Sequence, residues 1–290
     1  MKGILLAGGT GSRFRPASTA TNKHLLAAYD KPLVYYPLSV LMLAGIQDIL
    51  VITSEDYAPS FRRLLDGGSD LGLNIDVAVQ QRAGGLPEAF IIGEEFIAGE
   101  AVTLILGDNV FFGAGLPALL RKASRQLRGA TVFTHPVADP TASAVIELDA
   151  GGRVLTIEEK PVRPRSNHAV TGLYMYGSEV AELARSLAPS PRGELEITDL
   201  NLLYHSRGLL DVVHLGRGYA WLDAGTPEGL LEAAEFVRTI QERQGSQIGC
   251  LEEIAFTNGW IDKDQLLHRA RKMEGSRYGS YIAELAHATP

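Results

Sequence analysis

Three glycines within four positions, Gly8, Gly9 and Gly11, lie in the run Leu6–Arg13 (LAGGTGSR), directly after the apolar residues Ile4–Ala7. A residue without a Cβ lets a ligand lie against the main chain, and successive N–H groups can form a nest for an anion. Arg13 closes the run and Lys23 follows in TNKHLL, so two cations stand near bare backbone. Arginine pairs with phosphate oxygens through a planar fork, which points to a phosphate-bearing ligand. A dinucleotide, a nucleoside triphosphate and a plain β-to-α turn all stay open on these residues alone. The Walker spacing G-x-x-x-x-G-K-[ST] is absent, and a dinucleotide fingerprint needs a third glycine where Phe14 stands.

The elements that must carry this loop are legible nearby. Runs 2–8 (KGILLAG), 48–54 (DILVITS), 75–80 (IDVAVQ) and 102–109 (VTLILGDN) are nearly continuous in apolar residues and read as buried strands. Helical patterns fall between them at 31–45, 58–66, 86–97 and 114–128. The alternation predicts an α/β fold with a mainly parallel sheet and helices on both faces. Ligands of such sheets sit at the carboxyl ends of the strands, where LAGGTGSR and LGDN both fall. From about 130 the runs 130–137, 143–149, 154–161 and 168–177 are strand-like and joined by turns such as DAGG (149–152). They read as added, partly antiparallel strands laying a second wall against the first sheet. A helix near 196–206, strands 210–216 and 219–223, and a helical tail from about 227 follow.

Composition limits the partners. The chain has 290 residues, 46% of them hydrophobic, and a net charge of −7, which supports a real core and argues against a nucleic-acid footprint. A single cysteine, Cys250, cannot close an intramolecular disulfide and reads as a buried structural residue. No window reaches the 18 or so apolar residues of a membrane helix, and the start lacks a signal-cleavage pattern. A cytoplasmic location and no membrane partner are expected.

Taken in order, LAGGTGSRFRP, NKHLL, DKPLVYYPLS, VQQRAGGLPEAFIIGEEF, LILGDNVFFG, TIEEKPVRPRSNHAVTGLYMYG, SPRGELEITDLN, GRGYAWLDAGTPEGLLEA, CLEEIAF and NGWID span almost the whole chain. Together they resemble the sugar-1-phosphate nucleotidylyltransferases, and within them the short-form glucose-1-phosphate thymidylyltransferases. The resemblance implies a Rossmann-like, glycosyltransferase-A-like sheet with a small added β region and a helical C-terminal cap. It further implies one domain over 1–290: a nucleotide-binding core (1–129), a sugar-phosphate-binding part (130–226) and a helical region (227–290). The implied reaction joins a sugar 1-phosphate oxygen to the α-phosphorus of a nucleoside triphosphate and expels pyrophosphate. Such transfer depends on positioning and charge stabilisation more than on a nucleophile or base.

On this resemblance Leu6, Gly8, Gly9, Gly11, Ser12 and Arg13 wrap the triphosphate, and Arg13 with Lys23 neutralises it. Asp108 and Asp223 hold Mg²⁺, which typically takes one or two carboxylates plus phosphate oxygens. Gln80, Gly85 and Leu86 read a pyrimidine. Lys160 and Arg192 hold the sugar phosphate, Glu159 bonds a sugar hydroxyl, and Ser143, Ala144 and Val170 line the sugar side. The EEKP run puts Glu159 and Lys160 on opposite sides of a strand or its end. The substrates implied are dTTP and glucose 1-phosphate, and the assembly implied is a homotetramer.

Several positions depart from the family pattern. His24 and Ala27 replace Gln and Pro of Lys-Gln-Leu-Leu-Pro; Gln81, Arg82, Ala83 and Gly84 replace Pro-Ser-Pro-Asp; Pro87 and Glu88 replace Ala-Gln; Ser143-Ala144 replaces Tyr-Gly. A pocket altered on that scale shifts selectivity by about 1–3 kcal/mol. The alternatives are therefore the same chemistry with another nucleotide or a sugar or cyclitol 1-phosphate, and a nucleotide-binding regulatory protein without turnover. Relatives carry a second, intersubunit nucleotide site used for feedback; this chain keeps Arg217 but has Gly249 and Thr257 where basic residues are usual, so weak effector binding is expected there.

Overall fold

The computed structural model describes residues 1–9 and 11–288. Its strands, in chain order, are β1 (Lys2–Leu6), β2 (Ala27–Ala28), β3 (Lys31–Pro32), β4 (Asp48–Thr53), β5 (Asn74–Val79), β6 (Val102–Leu106), β7 (Asn109–Phe112), β8 (Ala130–Pro136), β9 (Ala144–Leu148), β10 (Val154–Glu159), β11 (His168–Tyr176), β12 (Leu210–His214) and β13 (Ala220–Asp223). Nine of them form one mixed sheet in the order β10-β9-β11-β6-β1-β4-β5, with β8 pairing both β11 and β12. β1 lies between β4 and β6, parallel to both. Their carboxyl ends therefore share one edge.

Successive residues of the central strands enter opposite cores. Leu5, Ile49, Val51 and Ile105 pack on one face, and Ile4, Leu6, Leu50, Ile52 and Leu104 on the other. This is why the sequence shows apolar runs rather than alternation: both faces are covered. Helices Tyr35–Leu43, Ala58–Leu65 and Leu116–Gln126 cover the first face with the C-terminal helices. Helices Glu88–Ile92, Val180–Ser186 and Ile197–Ser206 cover the second. Each fully buried Leu or Ile contributes about 1.5–3 kcal/mol.

Three sequence readings are corrected. The strands after residue 130 do not stack as a second wall; β11 pairs antiparallel with β6, Leu173 opposite Ile105, and continues the same sheet. Every residue of β11 after His168 is buried, so the strand needs cover on both faces and suits the middle of a sheet. The run 102–109 is not one strand either. The ladder reaches Gly107, whose N–H donates to the Leu6 carbonyl at 2.9 Å, and β7 then leaves the sheet to pair with β13. The helical pattern 86–97 breaks at Gly93 into Glu88–Ile92 and Glu94–Ile97. A Cβ there would lie 3.0 Å from the Ala89 carbonyl oxygen and 3.1 Å from Ile4 Cδ1, so glycine lets the helix settle on the sheet.

Candidate active site

The glycine run leaves β1 at the shared carboxyl edge. Ala7 ends the strand under three hydrogen bonds: its N–H donates to the Ile52 carbonyl at 2.8 Å, and its carbonyl accepts from Asn22 Nδ2 at 3.1 Å and Thr53 Oγ1 at 3.0 Å. Gly11 takes a left-handed conformation (φ 59°) and starts the 3-10 turn Ser12–Phe14. Buried Phe14 anchors that turn and leaves Ser12 and Arg13 exposed. The backbone of Gly8 and Gly9 lines a cleft of about 190 Å³ together with Leu6, Lys23, Gln80 and Asp108.

Asn22 then caps the turn Lys23–Leu25, accepting from the His24 N–H at 2.9 Å. This cap aims Lys23 at Asp108: Nζ stands 2.5 Å from Oδ2. His24 turns inward, its Nδ1 2.6 Å from Asn22 Oδ1, and is 2% exposed. Gly107 makes room for it, since a Cβ there would come within 2.7 Å of the imidazole Cδ2. Burial, and next the Lys23 charge, hold the His24 ring at about 3. It is neutral in use and adds no cation to the cleft.

Asp223 reaches the same place from far along the chain. β13 pairs with β7 so that Asp223 lies opposite Asn109, and the Ala224 N–H donates to the Asp108 carbonyl at 2.8 Å. A point beside Gly225 lies 2.9 Å from Asp223 Oδ1 and 3.2 Å from Asp108 Oδ2, so the two carboxylates face one another across about 6 Å or less. Burial pushes the Asp108 carboxyl up, but the Lys23 charge, with hydrogen bonds from Lys23 and Asn109 among the opposing causes, leaves Asp108 below the usual range. Desolvation, then the Asp108 charge, pushes Asp223 above that range, while Lys23 and Arg13 pull it back. Two hard carboxylates in mutual repulsion fit a divalent cation that shares its shell with phosphate oxygens. Among the described residues no cluster of three or more His, Cys, Asp or Glu side chains is placed to hold a metal by itself.

Asn109, to which the sequence reading gave no role, ties these parts together. Its Oδ1 accepts from Trp221 Nε1 at 2.6 Å and from the Gly172 N–H at 3.1 Å, and its Nδ2 donates to Asp108 Oδ1 at 3.0 Å. One buried amide thus links β11, β13 and the Asp108 carboxylate. The only signal in the sequence was its place after Asp108 in LGDN.

The residues expected at the sugar phosphate gather beside this edge. β10 ends at Glu159, whose partner in β9 is Ala144, and the Lys160 N–H donates to the Ser143 carbonyl at 3.2 Å. Lys160 has φ 46°, uncommon for a residue with a side chain. That turn corrects the reading of Glu159 and Lys160 as pointing to opposite sides: Lys160 Nζ stands 3.7 Å from Glu159 Oε1. Glu159 Oε2 accepts from Thr198 Oγ1 at 2.7 Å, and Arg192 pairs with Glu196 at 2.8 Å. Val170 is buried on β11, beside Ala169, the partner of Val145 in β9. Thr198 and Glu196 were missed because a polar residue near a helix start reads as an ordinary cap.

The loop 80–86 and the segment before helix Ile197–Ser206 are joined by backbone. Gly85 bridges Leu195, and the Leu195 N–H donates to the Gly84 carbonyl at 2.9 Å. With φ 92°, and a Cβ that would fall 2.0 Å from the Leu195 oxygen, position 85 requires glycine. Gln80 and Leu86 line the cleft with Ala83 and Glu194.

A larger cleft, about 1090 Å³, lies elsewhere, between helix Leu116–Gln126 and the segment from Gln247 to Asn258. Gly249 and Thr257 line it, and Arg121, Lys122 and Arg125 supply cations that the sequence reading had not placed there. Arg217 is exposed in the turn before β13. Cys250 is buried in the wall, and burial raises its thiol to about 12, which suits a structural residue.

Comparison with known proteins shows the family of the chain. Residues 2–240 match the family model described as nucleotidyl transferase. The chain is 53% identical, over 98% of its length and 99% of the relative's, to the glucose-1-phosphate thymidylyltransferase of Neisseria meningitidis serogroup A. It is 54% identical to that of an Actinoplanes species, over 98% and 94% of the two chains. Among solved structures, a Bacillus anthracis protein assigned as a glucose-1-phosphate thymidylyltransferase superposes with a TM-score of 0.76 at 39% identity, covering 82% of this chain and 95% of that one.

Proposed function

The chain belongs to the nucleotidyl transferase family, and on that premise we propose that it transfers dTMP from dTTP to glucose 1-phosphate, releasing pyrophosphate. The observation that carries this reading is the meeting of Lys23, Asp108 and Asp223 at the edge where the glycine run opens. In the reaction a sugar-phosphate oxygen forms a bond to the α-phosphorus as the bond to the bridging oxygen of pyrophosphate breaks. Arg13 and Lys23 offset the negative charge that gathers on the α-phosphate, the kind of fixed electrostatics that dominates such transfers. Mg²⁺, held by Asp108 and Asp223, would supply a Lewis acid to the phosphate oxygens. Leu6, Gly8, Gly9, Gly11 and Ser12 carry the triphosphate, and Gln80, Gly85 and Leu86 read thymine. Lys160 and Arg192 position the sugar phosphate, with Glu159, Ser143, Ala144 and Val170 around the sugar.

The labour divides between residues 1–129 for the nucleotide and 130–226 for the sugar phosphate, with 227–290 as a helical cap, all in one domain. The family resemblance supports a homotetramer formed through helical faces. The lone buried thiol suits a cytoplasmic setting; no helix of the described residues is long and apolar enough to cross a membrane.

The test is pyrophosphate release with Mg²⁺ across a grid of nucleoside triphosphates and sugar or cyclitol 1-phosphates, with Asp108→Asn beside the wild type. Turnover with dTTP and glucose 1-phosphate, falling by about 10²-fold or more in the variant, is the expected result. Activity with a different pair alone overturns the substrates and keeps the chemistry. No turnover anywhere in the grid by a folded protein that still binds nucleotide overturns the transfer.

A further inference from the structure

Glu88 starts the short helix Glu88–Ile92 and folds its carboxylate back beneath the base-reading loop. Its Oε2 accepts a 2.7 Å hydrogen bond from Gln80 Nε2, and Arg82 Nε stands 3.8 Å from its Oε1. The fit is close. A Cβ on Gly84 would come within 2.2 Å of the Glu88 carboxyl carbon, so glycine at 84 makes the space into which the carboxylate turns.

A glutamine amide offers two donors on one side and an acceptor on the other, and either side can face a ligand. Here the choice is forced. A carboxylate can only accept, so the Gln80 NH₂ must turn toward Glu88, and the Gly85 carbonyl lies 3.5 Å from the same nitrogen. The Gln80 carbonyl then points the other way. Its Oε1 is the atom that a Cβ on Gly8 would approach to 2.8 Å, and Gly8, Gln80 and Leu86 line one cleft. The face shown to a ligand is an acceptor.

We propose that Glu88 is a positioning residue for nucleobase selection: it fixes Gln80 as an acceptor, so the cleft favours a base presenting a ring N–H, as the imide N3–H of thymine or uracil does. Cytosine, whose N3 carries a lone pair, meets that acceptor with repulsion. The inference rests on the assignment of Gln80 to base recognition made above. It explains one departure from the family pattern. A glutamine at 88 can accept from or donate to Gln80 and leaves both orientations open, whereas the glutamate of this chain closes one.

Titration calorimetry of the full chain with dTTP and with dCTP, in Mg²⁺ and without a sugar phosphate, tests this directly. The wild type is expected to favour dTTP. Glu88→Gln should shrink the ratio of the two dissociation constants about tenfold, mostly by tightening dCTP. Glu88→Met, which offers no oxygen, should also shrink the ratio. A residue that only supports the loop would weaken both nucleotides together, so an unchanged ratio in both variants, or a wild type without preference, overturns the proposal. Pyrophosphate release from the same preparations separates the two readings. A ratio that shifts in a protein that never turns over supports the role of Glu88 and removes the transfer reaction. Turnover with an unshifted ratio does the opposite.

Discussion

His24 follows Lys23 in the chain yet carries none of its charge, because burial and that neighbouring ammonium hold its ring at about 3. In the unfolded chain the same ring takes its proton near 6.5. The folded value is the lower one, so acid favours the unfolded state. Stability is complete above about pH 6.5 and falls as pH drops toward 3, by about 1.4 kcal/mol for each unit. Replacing the ring with the family's usual residue, His24→Gln, should remove this slope. Melting temperatures of the two proteins between pH 7 and 4.5 are the measurement. The wild type is expected to lose more over that interval, and parallel curves would show that the ring is not the acid-sensitive group. The residue type was legible as a departure, but its neutrality was not: it follows from Gly107, an element away, leaving space for the ring.

At the scale of elements, the site is made by three strand ends and two loops that the sequence shows separately. The parallel strands were readable because they are apolar on both faces, and the carboxyl-edge rule then placed the glycine run and LGDN together. What could not be read was pairing. The short runs Asn109–Phe112 and Ala220–Asp223 are ordinary strands by composition, and only their register sets Asp223 against Asp108. Asn109 secures that arrangement, so Asn109→Ala should leave two donors, the buried Gly172 N–H and the half-buried Trp221 indole, without an acceptor. Each orphaned group costs about 1–3 kcal/mol. The expected outcome is a destabilisation of about 3 kcal/mol by urea unfolding, with a fall in turnover that persists well below the unfolding transition. A variant that loses stability alone would reduce Asn109 to a packing residue. The readings of Glu159 with Lys160, and of a second wall of strands, failed for a shared reason: a left-handed turn and a sheet edge leave no mark in a hydrophobic pattern.

The whole molecule adds a support remote from the chemistry. Helices Leu251–Thr257, Lys263–Lys272 and Arg277–Ala288 close over one core face around Glu252, which is fully buried. Arg269 Nη2 and the Tyr278 hydroxyl both donate to that carboxylate at 2.6 Å. The Lys31 ammonium, also buried, is tied to Asp30 at 2.6 Å and to Gln241 at 3.2 Å, which fastens the N-terminal hairpin to helix Pro227–Gln244. Arg269→Ala would strand a buried carboxylate, and breaking such a pair costs about 3–5 kcal/mol. A lower denaturant midpoint with near-normal turnover at low temperature is expected; lost turnover in a fully folded variant would couple this cap to the site. The helical tail was plain in the sequence from its spacing, whereas the ionic centre it hides was not, because Glu252 and Arg269 look like any solvated helix charges.

The ladder between β7 and β13 also dates the appearance of function. Asp108 and Asp223 are brought together by a separate two-stranded ladder, and a lone strand pair is marginal in water until it packs on a formed core. The strands β1, β4 and β6 lie within the first 106 residues and support one another in the nine-stranded sheet. After dilution from denaturant, circular dichroism should therefore recover before pyrophosphate release does. In a Trp260→Phe background, Trp221 emission should follow the slower course, since that indole sits on Asn109 within the ladder. If all three signals return together, the ladder forms along with the main sheet. If they separate, the chain passes through an interval as a folded body whose two aspartates have not yet met, and competence arrives as its last acquisition.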